Sequence, residues 1–376
     1  MNFNFTNILK KKLQFLFKKT SSLLFGFIYR KIRNKITAED TPEVKLQHVN
    51  VENRFYKIYS VKSARLYTDT INDTAIIIKD SLVDGPSFQL RDNKNAKCEE
   101  NIVFLKGTPR IKKKLKGTVL SLLTGGGGNA NYWHWLFDVL PRLFLAKQVI
   151  NLEEIDFFLF PSLDQKFQRE TLDILGIPIK KRLSSRYYRH ITANKIIITD
   201  HPYILKNNPI KEIEDLPLWI SEWLKESFLK ISNKSEVLSK KFYIDRKDSS
   251  SNHTSLRKII NEEELKKFLK SKNFDIISLK SLTFANCVQL FNNAEFIIGL
   301  HGAGFANLSF CKPSTKIIEF RITPGKMYEN LAKINNLKYD SITDQPKNPD
   351  HTIQLGNIDI PIAILDTKIE NMIEKN

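Results

Sequence analysis

The sequence predicts an α/β protein of two domains, and three observations support this prediction. A length of 376 residues suffices for two domains of ordinary size. Hydrophobic residues at 41% and charged residues at 27% indicate a globular rather than a disordered chain. Apolar runs alternate with amphipathic stretches after Gly128, as in parallel sheets. We therefore expect an arm at 1–36, a first α/β domain at 37–235 and a second at 236–376.

The arm reads as a basic amphipathic helix. Residues 1–35 contain nine Lys or Arg and no Asp or Glu. Apolar residues recur between the lysines at roughly helical spacing: Leu9, Leu13, Leu16, Leu23 and Phe27. This pattern favours a helix lying in the interface of an anionic membrane. The alternative is an arm that packs on the protein itself or on a second subunit.

The arm does not resemble a membrane span or a secretion signal. Its longest uncharged apolar piece, Leu23 to Tyr29, is too short to cross a bilayer, and no cleavage site follows it. The three cysteines, Cys98, Cys287 and Cys311, are too widely spaced for a disulfide framework or a zinc site. We expect a cytoplasmic protein, peripheral at the inner face of the plasma membrane.

The charge of the folded part argues against nucleic acid as a partner. The chain has 59 Lys and Arg against 41 Asp and Glu, a net charge of +18. Nine of these positive charges lie in the arm, so the remainder is only mildly basic. Such a field favours smaller anionic partners such as nucleotide phosphates or acidic lipid head groups.

The first domain begins with short β-like runs and continues with alternating strands and helices. The predicted strands are "RFYKIYSV", "TAIIIKD", "NIVFLK", "GTVLSLLT", "IDFFLF" and "KIIITD". The predicted helices are "PSLDQKFQRETLDILG" and the segment from Ile210 to about Leu229. A polar piece follows, so we place the domain boundary near Ser232–Lys240.

The second domain is more regular and predicts a doubly wound sheet. Its four predicted strands are "KFYID", "FDIISL", "EFIIGL" and "TKIIEF". Its predicted helices are "NEEELKKFLKSK", "TFANCVQLFNNA", "GFANLSFC" and "GKMYENLAKINN". Asn261 with Glu264 has the spacing of a capping box at the first of these helices.

A histidine and two glycines stand where the strand "EFIIGL" gives way to a helix. In open α/β sheets, ligands bind outside the carboxyl ends of the strands. His301, Gly302, Ala303 and Gly304 therefore predict a phosphate cradle, because a helix N-terminus offers backbone N–H groups and glycine allows close approach or a positive φ. The alternative is an ordinary strand–helix turn. Asn307 replaces the third glycine of a dinucleotide fingerprint, and no Walker lysine follows.

Charged residues follow neighbouring strands. Glu319 lies near the carboxyl end of the next strand, where an acid can bind ribose hydroxyls. Arg246 ends "FYIDR" and Arg257 follows, and either guanidinium can bind phosphate bidentately or form a surface ion pair of little weight. No two aspartates are separated by one residue, so we expect no metal and no other cofactor.

A second polar constellation lies in "GGGGNANYWHWLFDVLPRL". Four glycines predict a mobile loop, and Pro141 predicts a kink or an end in the helix that follows. His134, Asp138 and Arg142 are spaced at i, i+4 and i+8, on one helix face. Either His134 or Asp138 can remove a proton from a hydroxyl. The structural alternative is an Asp138–Arg142 pair with His134 at the helix start.

These motifs together resemble glycosyltransferase family 61. The segments "NYWHWLFDVLPRL", "FYIDRKDSS…LRKIINEEEL" and "IIGLHGAGFANLSFCKPSTKIIEF" occur in the order typical of that family, over roughly Leu123–Asp340. Asp245 stands where a serine is common, and "GFANLSF" replaces "GLTNLLF". The resemblance implies a GT-B fold, in which two Rossmann-like domains face each other across a cleft, and inverting transfer from a nucleotide sugar without a metal.

The resemblance also distributes the roles. His301 to Gly304 would meet the diphosphate, Arg246 and Arg257 the phosphates, and Glu319 the ribose or neighbouring groups; Asn307 counts with these donor-binding residues. His134 and Asp138 would supply the base. The acceptor would be a hydroxyl of a glycan, as in bacterial capsular polysaccharide or lipopolysaccharide synthesis. The alternative function is a non-catalytic nucleotide- or phosphosugar-binding protein.

Overall fold

The computed structural model describes residues 2–70, 72–87, 97–123, 129–206, 208–230, 239–246, 258–322, 325–343 and 356–374. Contacts divide the chain into two units. The first comprises Met1–Arg169 with Ile177–Glu212, and the second Glu170–Gly176 with Ile213–Asn376. The chain therefore passes between the units three times. The predicted boundary at 235/236 lies outside the described residues.

The helices are amphipathic or buried stretches that lie between the strands. In chain order they are α1 (Asn2–Tyr29), α2 (Ile102–Lys106), α3 (Tyr132–His134), α4 (Pro141–Lys147), α5 (Lys166–Ile174), α6 (Pro209–Glu212), α7 (Leu218–Phe228), α8 (Glu262–Ser271), α9 (Phe284–Asn293), α10 (Met327–Ile334) and α11 (Ile362–Glu374). A π-helical turn covers Trp135–Val139, and a 3₁₀ helix covers Ala303–Phe310. Within the described residues, no helix combines the length and the apolar character needed to cross a membrane.

Two mixed six-stranded sheets build the first unit. Their strands are β1 (Asn34–Thr37), β2 (Val44–Val51), β3 (Arg54–Lys62), β4 (Arg65–Thr68), β5 (Thr74–Ile78), β6 (Ser81–Asp84), β7 (Lys113–Lys114), β8 (Thr118–Ser121), β9 (Phe157–Phe160), β10 (Arg182–Ser184), β11 (His190–Thr192) and β12 (Lys195–Thr199). One sheet has the order β1-β6-β5-β4-β11-β7 and the other β10-β9-β8-β12-β3-β2.

The first unit therefore differs from a single doubly wound sheet. Only β10, β9, β8 and β12 form a parallel series, and β3 and β2 continue it antiparallel. Buried side chains of both sheets share one core, including Val61, Ile76 and Ile196. In the sheet β1-β6-β5-β4-β11-β7, β1 pairs with β6 and β11 pairs with β7 in parallel, so this sheet is mixed as well.

A neutral imidazole fixes the C-terminal end of α1. The Tyr29 ring meets His190 edge to face with 4.8 Å between centroids, and its hydroxyl accepts a bond from the backbone N–H of Lys112 at 3.0 Å. Nδ1 of His190 donates to the carbonyl of Arg110 at 2.9 Å, and the Arg65 guanidinium lies 3.5 Å from Nε2. Burial, together with that guanidinium, lowers the pKa of His190 to about 4. The ring therefore packs uncharged at neutral pH.

One parallel sheet organises the second unit. Its strands are β13 (Lys241–Asp245), β14 (Asp275–Ser278), β15 (Phe296–Leu300), β16 (Lys316–Arg321) and β17 (Lys338–Thr343), in the order β14-β13-β15-β16-β17. The four predicted strands are confirmed, and β17 adds a fifth. Because the order reverses between β13 and β15, their carboxyl ends form a topological switch point, the usual ligand site of such sheets.

Four local predictions were wrong. "NIVFLK" forms α2 rather than a strand, because Asn101 caps its N-terminus and Gly107, with φ 62°, ends it. The helix predicted from Ile210 is two helices, and α7 starts after Pro217. Asn261 is the N-cap residue of α8 as predicted, but its side chain makes no capping bond, because its Oδ1 accepts from the backbone N–H of Ile360 instead. "GFANLSFC" forms a 3₁₀ helix rather than an α-helix.

Candidate functional site

The first constellation is built on a helix with a widened turn. Asn131 caps the N-terminus of α3 by accepting from the backbone N–H groups of Trp133 and His134. The π turn follows, with an i to i−5 bond from Leu140 N–H to the Trp135 carbonyl of 3.0 Å. Pro141 begins α4 immediately afterwards. A proline there lacks a donor and crowds the preceding turn, so the widened turn accommodates it.

The predicted His134–Asp138 contact is present. Nδ1 of His134 lies 2.7 Å from Oδ2 of Asp138, and since a carboxylate only accepts, Nδ1 carries the proton. The Asp138 side chain is wholly buried, whereas that of His134 is 24% exposed. The glycine run at 125–128 lies outside the described residues. The imidazole is therefore the more accessible member of the pair.

Arg142 donates to two backbone carbonyls beside this pair. Its Nε donates to the backbone carbonyl of Asp138 at 2.9 Å, and a terminal nitrogen donates to the carbonyl of Thr199 at 2.9 Å. Burial lowers the pKa of Arg142 to about 10, against the opposing effect of Asp138 and Asp200. Arg142 thus joins the helix to the carboxyl end of β12 as a buried cation.

Two residues that the sequence interpretation missed complete this constellation. The hydroxyl of Tyr203 donates to Oδ1 of Asp138 at 2.7 Å, and Nε2 of His201 lies 3.4 Å from Oδ2. Both residues follow β12. Burial alone would raise the pKa of Asp138, but His134 and His201 outweigh it and hold that pKa below its ordinary value. The carboxylate is therefore ionised at neutral pH.

The second constellation lies at the switch point of the parallel sheet. Arg246 and His301 directly follow β13 and β15, and the Arg246 guanidinium donates to the His301 carbonyl at 2.6 Å. Burial lowers the pKa of Arg246, opposed by Tyr328 and Tyr243, yet a guanidinium remains charged at neutral pH. The predicted neighbours thus converge. Arg257 lies outside the described residues.

Gly302 and Gly304 leave space for neighbouring side chains, including that of Arg246. Gly302 is extended, with φ 169°, and a Cβ there would lie 3.1 Å from Cζ of Arg246. A Cβ at Gly304 would lie 3.0 Å from Cδ1 of Leu279. Neither glycine has the left-handed backbone that the sequence interpretation allowed for. Their lack of a side chain makes room for the Arg246 guanidinium and for Leu279.

Glu319 is a buried hydrogen-bond partner of His301. Its Oε1 is 2.5 Å from Nδ1 of His301, and its Oε2 accepts from the Tyr339 hydroxyl at 2.5 Å. Tyr339 was missed because β17 was not predicted. Glu319 is 1% exposed, so contact with a ribose would require the surrounding side chains to move. Asn307 is buried too, and its amide donates to the Gly304 carbonyl at 2.9 Å.

Each unit therefore contains the same arrangement of three side chains. A histidine donates through Nδ1 to a buried carboxylate, and the second oxygen of that carboxylate accepts from a tyrosine hydroxyl. In the first unit the carboxylate has a second imidazole beside it, and in the second unit the histidine has a guanidinium on its backbone. A carboxylate that orients an imidazole in this way prepares it for proton transfer or for anion binding.

Two comparisons with known proteins agree with this description. The family model described as Glycosyltransferase 61 matches residues 132–318. The EGF domain-specific O-linked N-acetylglucosamine transferase of Drosophila melanogaster is 30% identical over 93 residues, which are 24% of this chain and 18% of that protein. The chain thus matches less than a fifth of the length of this relative. The matched residues include His134, Asp138, Arg246 and His301 and end next to Glu319. Both constellations therefore lie in the part of the chain that is similar to glycosyltransferase family 61.

Proposed function

We propose that the protein is an inverting, metal-independent glycosyltransferase that moves a sugar from a nucleotide-sugar donor to a hydroxyl of a glycan acceptor. The observation that carries this proposal is the convergence of Arg246 and His301 at the switch point of the parallel sheet. A charged guanidinium at that position can stabilise a leaving diphosphate without a metal. The similarity of residues 132–318 to glycosyltransferase family 61 supports the reaction class.

We propose that the His134–Asp138 pair supplies the proton acceptor that the reaction needs. Direct attack by an acceptor hydroxyl inverts the anomeric carbon and needs a proton acceptor. We propose that the first unit binds the acceptor and the second the donor. Within the described residues, no group of three or more His, Cys, Asp or Glu side chains could hold a metal. We propose that the charge of the leaving group is met by Arg246, by Arg257 and by the first N–H groups of the 3₁₀ helix.

The donor site is tested first by binding. We expect UDP or GDP to raise the melting temperature of the wild type, because a ligand at a hundred times its Kd stabilises by about 2.7 kcal/mol. Arg246→Ala should weaken nucleotide binding by roughly tenfold to a hundredfold, since bonds to charged groups contribute about 1.5–3 kcal/mol. Lys240→Ala, an exposed cation before the other end of β13, should bind like the wild type.

Turnover separates the two candidate functions. The transferase relative carries N-acetylglucosamine in its name, so nucleotide-linked N-acetylglucosamine is the first donor to test. Binding of nucleoside diphosphates without hydrolysis or transfer from any donor would favour the non-catalytic binding protein. Unchanged melting temperatures with every nucleotide would contradict both candidates.

We propose that α1 lies on an anionic membrane surface. At about 100° per residue, one arc of roughly 120° on this helix contains Leu13, Leu16, Phe17, Leu23, Leu24 and Phe27. All six are exposed, and Phe17 and Phe27 are 72% and 89% exposed. Tyr29 and Phe25, on the other side, stack with each other, and Tyr29 contacts His190. Nine cations without an anion in residues 1–35 disfavour a second copy of the same helix and favour acidic lipid.

Co-sedimentation with vesicles tests the membrane surface. Vesicles with acidic lipid should bind the wild type, and neutral vesicles should bind it far less. Phe17→Ser with Phe27→Ser should lower partitioning at least about tenfold, because burying a phenylalanine contributes about 1.5–3 kcal/mol. Phe55→Ser is the matched control, as Phe55 is 69% exposed elsewhere in the first unit. Equal binding by all variants would contradict the proposal, and self-association without vesicle binding would favour a second copy.

The remaining details stay predictions. A surface polysaccharide of bacterial capsular or lipopolysaccharide type as acceptor follows from the sequence resemblance alone. A location at the inner face of the plasma membrane rests on the basic arm, on the few cysteines and on the exposed face of α1. Acceptor screening with the membrane-bound protein addresses both.

A further inference from the structure

The Asp138 carboxylate is surrounded by donors and is not itself in a position to meet a substrate. Tyr203 donates to one oxygen at 2.7 Å, and His134 donates to the other at 2.7 Å. Nε2 of His201 lies 3.4 Å from that second oxygen. The side chain is 0% exposed. A hydroxyl of a glycan could reach it only if this network opened.

The tautomer of His201 is fixed by the backbone. Its Nδ1 accepts from the N–H groups of Tyr203 at 3.3 Å and of Ile204 at 3.0 Å. The ring proton therefore belongs to Nε2, which faces Asp138. Burial lowers the pKa of His201, against the effect of Asp138, so a neutral ring presents its N–H to the carboxylate. Arg142 is the other charged group close to this pair.

The tautomer of His134 follows from the carboxylate. Since Nδ1 donates to Asp138, the lone pair of a neutral ring lies on Nε2. In a histidine ring without such a partner, the proton is not held on Nδ1. An ionised Asp138 is therefore what keeps Nε2 able to accept a proton.

We infer that His134 accepts the proton through Nε2, and that Tyr203 and His201 are positioning residues that hold Asp138 ionised and thereby fix the tautomer of His134. This inference rests on the proposed function for its catalytic part only. In the reaction, the acceptor oxygen forms a bond to the anomeric carbon as the bond to the diphosphate breaks. The diphosphate leaves with that electron pair, and the hydroxyl proton moves to Nε2. Asp138 then stabilises the resulting imidazolium.

The tautomer can be measured without a substrate. Two-bond ¹⁵N–¹H correlation spectra of the full chain with ¹⁵N-labelled histidine resolve the ring nitrogens of its seven histidines, and His134→Gln assigns the signal. We expect Nδ1 of His134 to be protonated and Nε2 unprotonated in the wild type. Asp138→Asn should reverse this, because the amide donates to Nδ1 and moves the proton to Nε2. Tyr203→Phe combined with His201→Gln should shift the tautomer population in the same direction.

Tyr56→Phe is the matched control for the loss of a buried hydroxyl. Tyr56 is 0% exposed, and its hydroxyl donates to the carbonyl of Pro202 at 2.9 Å, next to the same segment. We expect this variant to keep the wild-type tautomer and the wild-type kcat. Tyr203→Phe should lower kcat about tenfold, the change that a loss of about 1.4 kcal/mol gives, with little change in donor KM.

The outcomes distinguish the inference from the proposed function. A wild-type ring with its proton on Nε2 would overturn the inference, as would an identical tautomer ratio in Tyr203→Phe/His201→Gln and Tyr56→Phe. The expected tautomers in a protein without transferase activity would support the positioning network and contradict the proposed reaction. Transferase activity with kcat unaffected by Tyr203→Phe would support the reaction and contradict the positioning role.

Discussion

His134→Gln is expected to lower kcat by about a hundredfold to ten thousandfold, the usual contribution of a general base. Glutamine fills a similar volume and can still donate to Asp138, so the fold should persist. It cannot accept a proton at neutral pH. Donor KM should change little, because the variant retains Arg246 and His301. Initial-rate kinetics with saturating donor and acceptor measure both parameters.

The control for this prediction is another histidine of the first unit. His48 is exposed on β2, so His48→Gln should have the kcat of the wild type. A His134→Gln enzyme within twofold of the wild type would show that the base lies elsewhere. Asp138→Asn should lose a comparable factor, because it forces the proton onto Nε2. A large loss in Asp138→Asn with full activity in His134→Gln would contradict the proposal that His134 accepts the proton and that Asp138 acts through it.

Arg142→Met is expected to destabilise the first unit by about 3–5 kcal/mol, the cost of removing one member of a buried ionic network. Arg142 is 1% exposed and donates to two carbonyls, those of Asp138 and Thr199. Methionine would leave these acceptors without that donor and would remove a buried cation that interacts with Asp138. Urea unfolding at pH 7, followed by tryptophan fluorescence, measures the change.

The position of the tryptophans makes this measurement specific. Two of the four lie in the first unit, at Trp133 and Trp135, and two in the second, at Trp219 and Trp223. Replacing the second pair by phenylalanine leaves signals from the first unit alone. Arg186→Met is the control, because the Arg186–Asp164 pair is exposed at 61% and 47% and should contribute little. Equal stability of the two variants would contradict the structural role of Arg142.

The sequence predicted best where local pattern and packing agree. The three central strands of the second unit, β13, β15 and β16, are nearly continuous apolar runs, as strands buried on both faces must be, and they are confirmed together with the edge strand β14. β17 was missed because most of its residues are only partly buried, which gives an edge strand no continuous apolar run. Because β17 was not predicted, Tyr339, which donates to Glu319, was missed as well.

The candidate site was predicted only within single segments. The spacing of His134 and Asp138 sufficed for their contact, since i and i+4 share a helix face. His201 and Tyr203 are more than sixty residues further along the chain, and β12 brings them close through sheet pairing that spacing does not encode. One signal was available: "KIIITD" ends in Asp200 and is followed by His201 at a strand's carboxyl end, the position that also identified His301. Gly302 and Gly304 were predicted to let the backbone approach a phosphate, but the structure shows that they make room for the Arg246 and Leu279 side chains. Sequence alone could not reveal these neighbours.

The segment Glu170–Gly176 has a consequence for how the protein is made. It belongs to the second unit, and its Glu170 carboxylate accepts the backbone N–H of Phe284 at 2.9 Å across 114 residues. A nascent chain that has emerged from the ribosome only as far as Glu212 therefore contains every residue of the first unit together with a segment whose partners are still untranslated. In a chain cleaved between Glu212 and Ile213, the C-terminal half would lack one segment of the second unit, Glu170–Gly176.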